Sequence, residues 1–343
     1  MNLETLDWEV LDRLRETFLS SARAEGPYWH TITDLDCYDR TYGERIGWKW
    51  DSVLSELDLR GWPPPADGPT IFDWGCGSGI AGRRVIDFCR NSSGIRLVLH
   101  DHSALAVDYA EHRAKTEFPQ LQVERADYRE INGDAPIDIL VVSHVLNELN
   151  EKARLELSGL MTRAHCILWV EPGTHEVSRT LVAWREQLRA TGARVIAPCT
   201  HNAACGLLAA GNDRHWCHFF ATPPPEIFAD SNWVRFGQRA GIDLRSLPYS
   251  FLVLDRRVGP AQGSGSRILG DPRIYKGYAK LFNCSEAGIE ELTMQQRVDK
   301  ALFKELKRAR GPLIYRWTRD ADRIMAAEPI FKHYIPATES TVE

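Results

Sequence analysis

The chain has 343 residues, 43% of them apolar, with 42 Lys and Arg against 47 Asp and Glu for a formal net charge of −5. That length exceeds one minimal domain and the apolar content suffices for a full core, so two or three modules are expected. The balance excludes a polycation as a whole, and no apolar run approaches the ~20 residues that cross a bilayer.

The first seven residues, Met1 to Asp7, are acidic and lack both the apolar stretch of a secretory signal and the arginines of a transit peptide. A soluble, cytoplasmic protein is expected, with its eight cysteines reduced, so that any cluster of them points to metal rather than to disulfides. Residues 1–65 read as a helical N-terminal module. Leu6, Val10, Leu11 and Leu14 recur at helical spacing, as do Ile46, Trp50, Val53, Leu54 and Leu57, before Pro63, Pro64 and Pro65 punctuate the chain.

Residues 66–257 alternate strand and helix, with strands near 69–73, 95–100, 121–126, 137–143, 165–171, 193–197 and 249–255. Helices fit near 79–91, 103–116, 152–163 and 176–190. Such alternation predicts a mostly parallel sheet with helices on both faces, an α/β Rossmann-like fold. Its first strand runs into Asp73-Trp74-Gly75-Cys76-Gly77-Ser78-Gly79, three glycines at alternate positions ahead of a helix. Glycine allows a sharp turn and a close ligand approach, and a helix N-terminus attracts a nucleotide. The spacing is D-x-G-x-G-x-G rather than the dinucleotide G-x-G-x-x-G, and it resembles the first motif of S-adenosylmethionine (SAM)-dependent methyltransferases. The second strand ends in Asp101, suited to a ribose hydroxyl pair, and the third in Asp127, suited to an adenine amino group. The alternative is a glycine turn that merely joins strand to helix.

An irregular insertion at 198–230 follows, holding Cys199, Cys205 and Cys217 within 19 residues. Loops of that length usually carry a function or a staple. Gly259 to Ser266 reads as a flexible linker. Residues 258–337 form a basic C-terminal extension, with short strands over 267–284 and a basic helix over 290–310, and residues 338–343 read as a disordered tail. Residues 251–320 carry 14 Lys and Arg against 8 Asp and Glu, leaving −11 for the remainder. An acidic front and a basic back suggest a polyanionic partner for the back. Arg267, Arg273, Lys276, Lys280, Lys304, Lys307 and Arg308 are the candidate RNA-binding residues, with Tyr275, Tyr278 and Phe282 interleaved to stack on bases. A solvated, charged helix face is the plainer reading of the same residues.

The three clustered thiols and Cys284 fit no zinc finger, whose pairs sit two to four residues apart. Four thiolates suit an iron–sulfur cluster, whereas His201, His215 and His218 leave zinc open and buried structural cysteines remain the ordinary alternative. Cys37, Cys76, Cys89 and Cys166 lack partners at useful spacing.

Several segments now occur in order: Val170 to Thr174, Ile196 to His201, Trp216 to Phe219, Tyr249 to Leu254, Arg267 to Arg273, Lys276-Gly277 and Cys284. Together they resemble the methyltransferase-like family of mitochondrial small-ribosomal-subunit proteins and their bacterial relatives, over roughly residues 70–310. The resemblance implies a Rossmann-like methyltransferase domain acting in small-subunit assembly and in contact with rRNA. It implies a 4Fe-4S cluster on Cys199, Cys205, Cys217 and Cys284. Separately, no membrane partner is expected of a chain without a long apolar run, and DNA is not the expected nucleic acid.

Methyl transfer is an in-line displacement that needs a held nucleophile and an acceptor for the departing proton. The fourth strand delivers Ser143 to Leu149, where His144 or Glu148 is a candidate base and Asn147 a substrate-orienting group; helix capping and packing are the plainer roles. The Asn/Asp-Pro-Pro-Tyr signature of amino-methylases is absent there, and Pro198-Cys199 is a weaker nucleophile candidate. The leading expectation is a SAM-binding, cluster-containing, methyltransferase-like protein acting on the small ribosomal subunit, in rRNA methylation, in assembly or in both. The alternatives are a non-catalytic RNA-binding assembly factor and a small-molecule methyltransferase.

Overall fold

In the computed structural model, which describes residues 3, 5–19, 29–127, 131, 133–257, 265–307 and 311–331, the glycine-bearing strand β1 (Thr70–Trp74) lies mid-sheet. It pairs in parallel with β2 (Arg96–His100) on one side and β4 (Ile137–Ser143) on the other. Beyond β2 comes β3 (Gln122–Arg125), and beyond β4 comes β5 (Ala164–Pro172), both parallel. The far side is antiparallel: β8 (Pro248–Asp255) runs between β5 and β6 (Arg194–Ala197), and the two-residue β7 (Phe219–Phe220) pairs with its start. The order is therefore β3-β2-β1-β4-β5-β8-β6. Each expected strand forms, within two residues of its expected ends.

Chemistry explains the middle of this sheet. In β4, Ile137, Ile139, Leu140, Val141 and Val142 are all buried, as a strand covered on both faces requires. Helices α4 (Ile80–Phe88), α5 (Ala104–Glu117), α6 (Glu151–Arg163) and α7 (His175–Ala190) supply the cover. Ser103 and Asn150 cap α5 and α6 by accepting from the third backbone N–H beyond each. The region after the insertion adds α8 (Ser231–Ala240), stopped by Gly241 in a left-handed conformation.

The N-terminal helices α1 (Trp8–Leu19), α2 (Ile32–Tyr38) and α3 (Glu44–Leu59) belong to the same body as the sheet. From α3, Trp50, Val53, Leu54 and Leu57 share one hydrophobic core with Ile71, Leu97, Ile139 and Val170. Between α2 and α3 lies a widened turn, Asp39–Gly43. Its Asp39 accepts two hydrogen bonds from the Arg83 guanidinium of α4 at 2.8 and 2.9 Å, with both groups buried.

The C-terminal part is a second sheet. Strands β9 (Ser266–Ile268), β10 (Arg273–Tyr275), β11 (Tyr278–Ser285), β12 (Gly288–Gln295), β13 (Ile314–Asp320) and β14 (Arg323–Pro329) enclose their own core of Leu281, Leu292, Met294, Tyr315 and Ile324. The helix expected over 290–310 is corrected here. Residues 288–295 pair with β11 along its whole length, and only α9 (Lys300–Leu306) is helical, capped by Asp299. The alternation of buried Leu292 and Met294 with outward neighbours is a period of two, which outweighs the helical preference of Glu290 and Glu291. Residues 338–343, Arg308 and most of the expected linker lie outside the described residues.

Candidate functional site

Between β1 and β4 the strand order changes direction, and at such a point the crevice beyond the carboxyl ends of the strands receives ligands. A cavity of about 410 Å³ opens there, lined by Gly75, Gly77, Ser78, Asp101, Ser143, His144, Glu148 and Glu156 among others. That size suits a nucleoside-sized ligand.

The glycine loop is shaped by its neighbours. Gly75, Gly77 and Gly79 all have positive φ, at 72°, 51° and 76°. A Cβ on Gly75 would stand 2.8 Å from Val145 Cγ1, and one on Gly79 would stand 2.8 Å from Ala110 Cβ. Backbone N–H groups of Gly75 and Cys76 donate to the His100 carbonyl at 2.8 and 2.9 Å. Asp101 Oδ2 accepts from Gly77 N–H at 2.9 Å and its Oδ1 from Ser103 N–H at 2.8 Å. Asp101 thus sits in the cavity wall, holding the loop through Oδ2 and the capping residue of α5 through Oδ1. Asp73 is fully buried behind the loop, where Oδ2 accepts from Gly82 N–H at 3.1 Å; burial pushes its carboxyl up to about 7. Asp127, just past β3, is exposed and is not among the residues lining the cavity.

The loop after β4 carries the remaining candidates. His144 adopts φ 57°, a strained value for a residue with a side chain, and lines the cavity. Its Nε2 lies 3.0 Å from Lys49 Nζ and its Nδ1 lies 3.4 Å from Ser143 Oγ, which also accepts from Trp50 Nε1 at 3.0 Å. Glu148 reaches the cavity, whereas Asn147 is exposed and does not line it. Beneath the loop, the buried Glu171 accepts from Val145 N–H, Leu146 N–H and Trp169 Nε1 through Oε1. Burial pushes Glu171 up to about 7.

Lys49 is the residue that sequence reasoning missed. It lies on α3 within the stripe Ile46, Trp50, Val53 and Leu57, and a lysine inside an apolar stripe is the signal that marks it. Burial first, and then the nearby Arg45, lowers its ammonium to about 7. Burial together with Lys49 holds His144 well below the ordinary histidine range, so the imidazole is neutral at pH 7.

The four expected cysteines converge. Cys199, Cys205, Cys217 and Cys284 line one small cavity of about 30 Å³ between the first sheet and the barrel-like second one, along with Leu207, Phe251, Leu269, Arg185 and Arg267. None of His201, His215 and His218 lines it. Among the described residues no group of three or more His, Cys, Asp or Glu is arranged to hold a metal ion. Burial and mutual repulsion push Cys205 up to about 11, and push Cys217 and Cys284 higher still, so that unligated they are neutral thiols. Cys37, Cys76, Cys89 and Cys166 are buried away from that cavity, Cys76 in the glycine loop.

The basic candidates divide. Arg267 is corrected: it is buried rather than on an RNA-facing surface. It donates to both Glu56 oxygens, and its guanidinium lies 3.9 Å from the centre of the Phe219 ring. Arg273 and Lys280 are surface residues paired with Glu291, while Lys276, Lys304 and Lys307 are exposed.

This sheet order, with its antiparallel penultimate strand and its glycine-loop cavity, is that of a Rossmann-like methyltransferase fold. The family model for the mitochondrial small ribosomal subunit protein Rsm22 matches residues 63–321, and the chain belongs to that family. No curated protein matches it. Solved structures similar to it include the magnesium protoporphyrin IX methyltransferase of Synechocystis PCC 6803 with bound S-adenosylhomocysteine (SAH). There the identity is 14% over 72% of this chain and 99% of that one, with a TM-score of 0.37. A precorrin-6y C5,15-methyltransferase of Geobacter metallireducens shares 13% identity over 60% and 86%, with a TM-score of 0.36. A SAM-dependent methyltransferase of Aquifex aeolicus shares 17% over 50% and 93%, with a TM-score of 0.34. Among the described residues no helix is long and apolar enough to cross a membrane.

Proposed function

We propose that this chain binds SAM in the cavity at the end of β1 and transfers its methyl group to rRNA of the small ribosomal subunit. The observation that carries the reading is the convergence of the glycine loop, Asp101 and the neutral His144 on one cavity at the switch point. Gly77, where a Cβ would meet nothing, leaves room for the nucleotide, while Gly75 and Gly79 let the loop pack on Val145 and Ala110, and Asp101 retains lone pairs for the ribose hydroxyls. In the transfer, the sulfonium S–CH₃ bond breaks as the acceptor atom bonds to the methyl carbon, and SAH departs. The proton left on the acceptor passes to the His144–Lys49 pair, where an amine titrating near neutral pH can hold it. The test is incubation with methyl-labelled SAM and small-subunit particles lacking native modification. Labelled rRNA with loss of label in D101A is expected; SAH binding without label in any rRNA would refute the transfer.

The second reading, an RNA-binding assembly factor without turnover, is favoured by a specific observation. Both ring nitrogens of His144 are already engaged, and Asn147 stands away from the cavity. Retained SAH binding with unlabelled rRNA would select it. Labelling of a small metabolite instead would select the third reading, a small-molecule methyltransferase.

We further propose that Cys199, Cys205, Cys217 and Cys284 hold a 4Fe-4S cluster; what supports this is that the four line one cavity, although among the described residues they are not set in a ligating arrangement without it. Four thiols face one apolar space, and Arg185 and Arg267 stand beside it to offset the negative charge that thiolates bring. Cys199, Cys205 and Cys217 would hold it from the insertion and Cys284 from β11. A bound cluster would supply a covalent clasp between the two sheets, its ligation adding to folding free energy. Iron and acid-labile sulfide measured with the visible spectrum of anaerobically purified protein test it. About four of each is expected, and zinc with a colourless sample would select the zinc alternative.

A further inference from the structure

The second sheet closes on itself. Strand β9 pairs with both β11 and β13, β11 pairs with β12, β12 with β14, and β14 with β13. Numbered within this unit, the five strands run 1-2-3-5-4 and back to 1, and β12–β14 is the only parallel pair among them. Helix α9 enters between the third and fourth strands and buries Leu302, Phe303 and Leu306 in the barrel core. That order, with its helix in that place, is the oligonucleotide/oligosaccharide-binding barrel, whose second and third strands and the loop between the first two form the ligand face.

The face is built for nucleotides. Ala279, Leu281, Leu292 and Met294 point inward, so Tyr278, Lys280, Thr293 and Gln295 point outward. Strand β10 lies in the loop between β9 and β11 and widens the face, setting Tyr275 opposite Tyr278 and Arg273 opposite Lys280. The two tyrosine rings are parallel, 4.8 Å apart at 9°, and Tyr275 is 43% exposed. Exposed Lys276 lies at the hairpin tip, and Arg323 sits across from Thr293 on β14. Glu291 lies among them, bridging Arg273 and Lys280. At the other end, Phe282 packs against His215 of the insertion, so the face is closed toward the cysteines and open toward the tyrosines.

We infer that the β10–β11–β12 face of this barrel binds single-stranded RNA, its bases stacking on Tyr275 and Tyr278 and its phosphates following Arg273, Lys276, Lys280 and Arg323. The inference deepens the ribosomal-RNA reading above by naming the element and the strandedness. Stacking on a tyrosine needs an unstacked base, which a duplex does not offer.

Fluorescence anisotropy on the full-length protein tests this, using a labelled 12-nucleotide mixed-sequence RNA, alone or annealed to its complement, across 50–200 mM salt. Tighter binding of the single strand is expected, with a loss of about tenfold or more in Y275A/Y278A. Y275F/Y278F, which keeps the rings, should bind as the unaltered protein does. K276Q should lower the slope of log affinity against log salt by about 0.7 while keeping the strand preference. SAH affinity, measured alongside by calorimetry, should not change in any of these variants. Undiminished single-strand binding by Y275A/Y278A, or preference for the duplex, would overturn the inference. Failure of methyl transfer with this binding intact would count against the catalytic reading alone.

Discussion

Lys49 and Glu171 carry the clearest consequences at the scale of single residues. An unfolded lysine keeps its proton to about pH 10.4, whereas half-buried Lys49 releases it near 7. Between those values the unfolded chain binds more protons, so this residue makes stability rise with pH from about 7 to about 10. K49M should remove that part of the rise, on the order of 3 kcal/mol, in urea denaturation at pH 7.0 and 9.5. An equal rise in K49M and in the unaltered protein would refute the burial argument. Glu171 works in the opposite direction, since its folded-state value is raised. Its contribution is full below about pH 4.5 and is lost as the pH climbs toward about 7. E171Q keeps an acceptor for Val145, Leu146 and Trp169, so it should lose less stability than the unaltered protein between pH 4.5 and 7. Matching denaturation midpoints across that range would show that Glu171 ionises without penalty.

Among the elements, α4 decides how the glycine loop is held. Arg83 on that helix joins Asp39 of the widened turn and donates to the Ser78 carbonyl at 2.7 Å, so one guanidinium ties the N-terminal helices to the loop. R83M leaves buried Asp39 short of its main partner. A loss of about 3 kcal/mol in stability is expected, with weaker SAH binding because Ser78 lines the cavity. Calorimetry of SAH binding would separate the two effects: unchanged affinity in a destabilised R83M would mean that the loop holds its shape without the Arg83 bond to Ser78. The helix α3 has a comparable double role, presenting Lys49 to His144 near its start and Glu56 to Arg267 near its end.

Taken whole, the molecule is joined across its two sheets by a buried ionic node. Glu56 accepts from Arg60 and Arg267, while Arg60 also donates to the carbonyls of Ile196, Pro198 and Cys199. The node therefore binds α3, the start of the insertion and β9 beside the cysteine cavity. E56Q breaks one partner of a buried network, so a loss of about 3–5 kcal/mol is expected. Amide exchange should show β9 and residues 196–200 opening first. Uniform loss of protection would place the weak point elsewhere. If the cavity holds a cluster, chelation of its iron should lower the melting temperature in the same protein.

The linear chain determined the first sheet almost completely. Its strands are continuous apolar runs and its helices amphipathic segments with capping residues, so local pattern and burial agree. The glycine loop, Asp101 and the four thiols were legible because a turn at positive φ, an acid at a strand end and clustered cysteines each leave a local mark. Residues 288–295, Arg267 and Lys49 were decided by tertiary structure. Charged residues on a half-exposed strand resemble a helix until their partner strand is known. An arginine looks like RNA-facing surface until Glu56, 211 positions away, is found beside it, and a lysine in an apolar stripe acquires meaning only from the histidine opposite. Barrel closure is likewise a matter of which distant strands pair, and pairing across long sequence separations leaves no periodic trace in either partner.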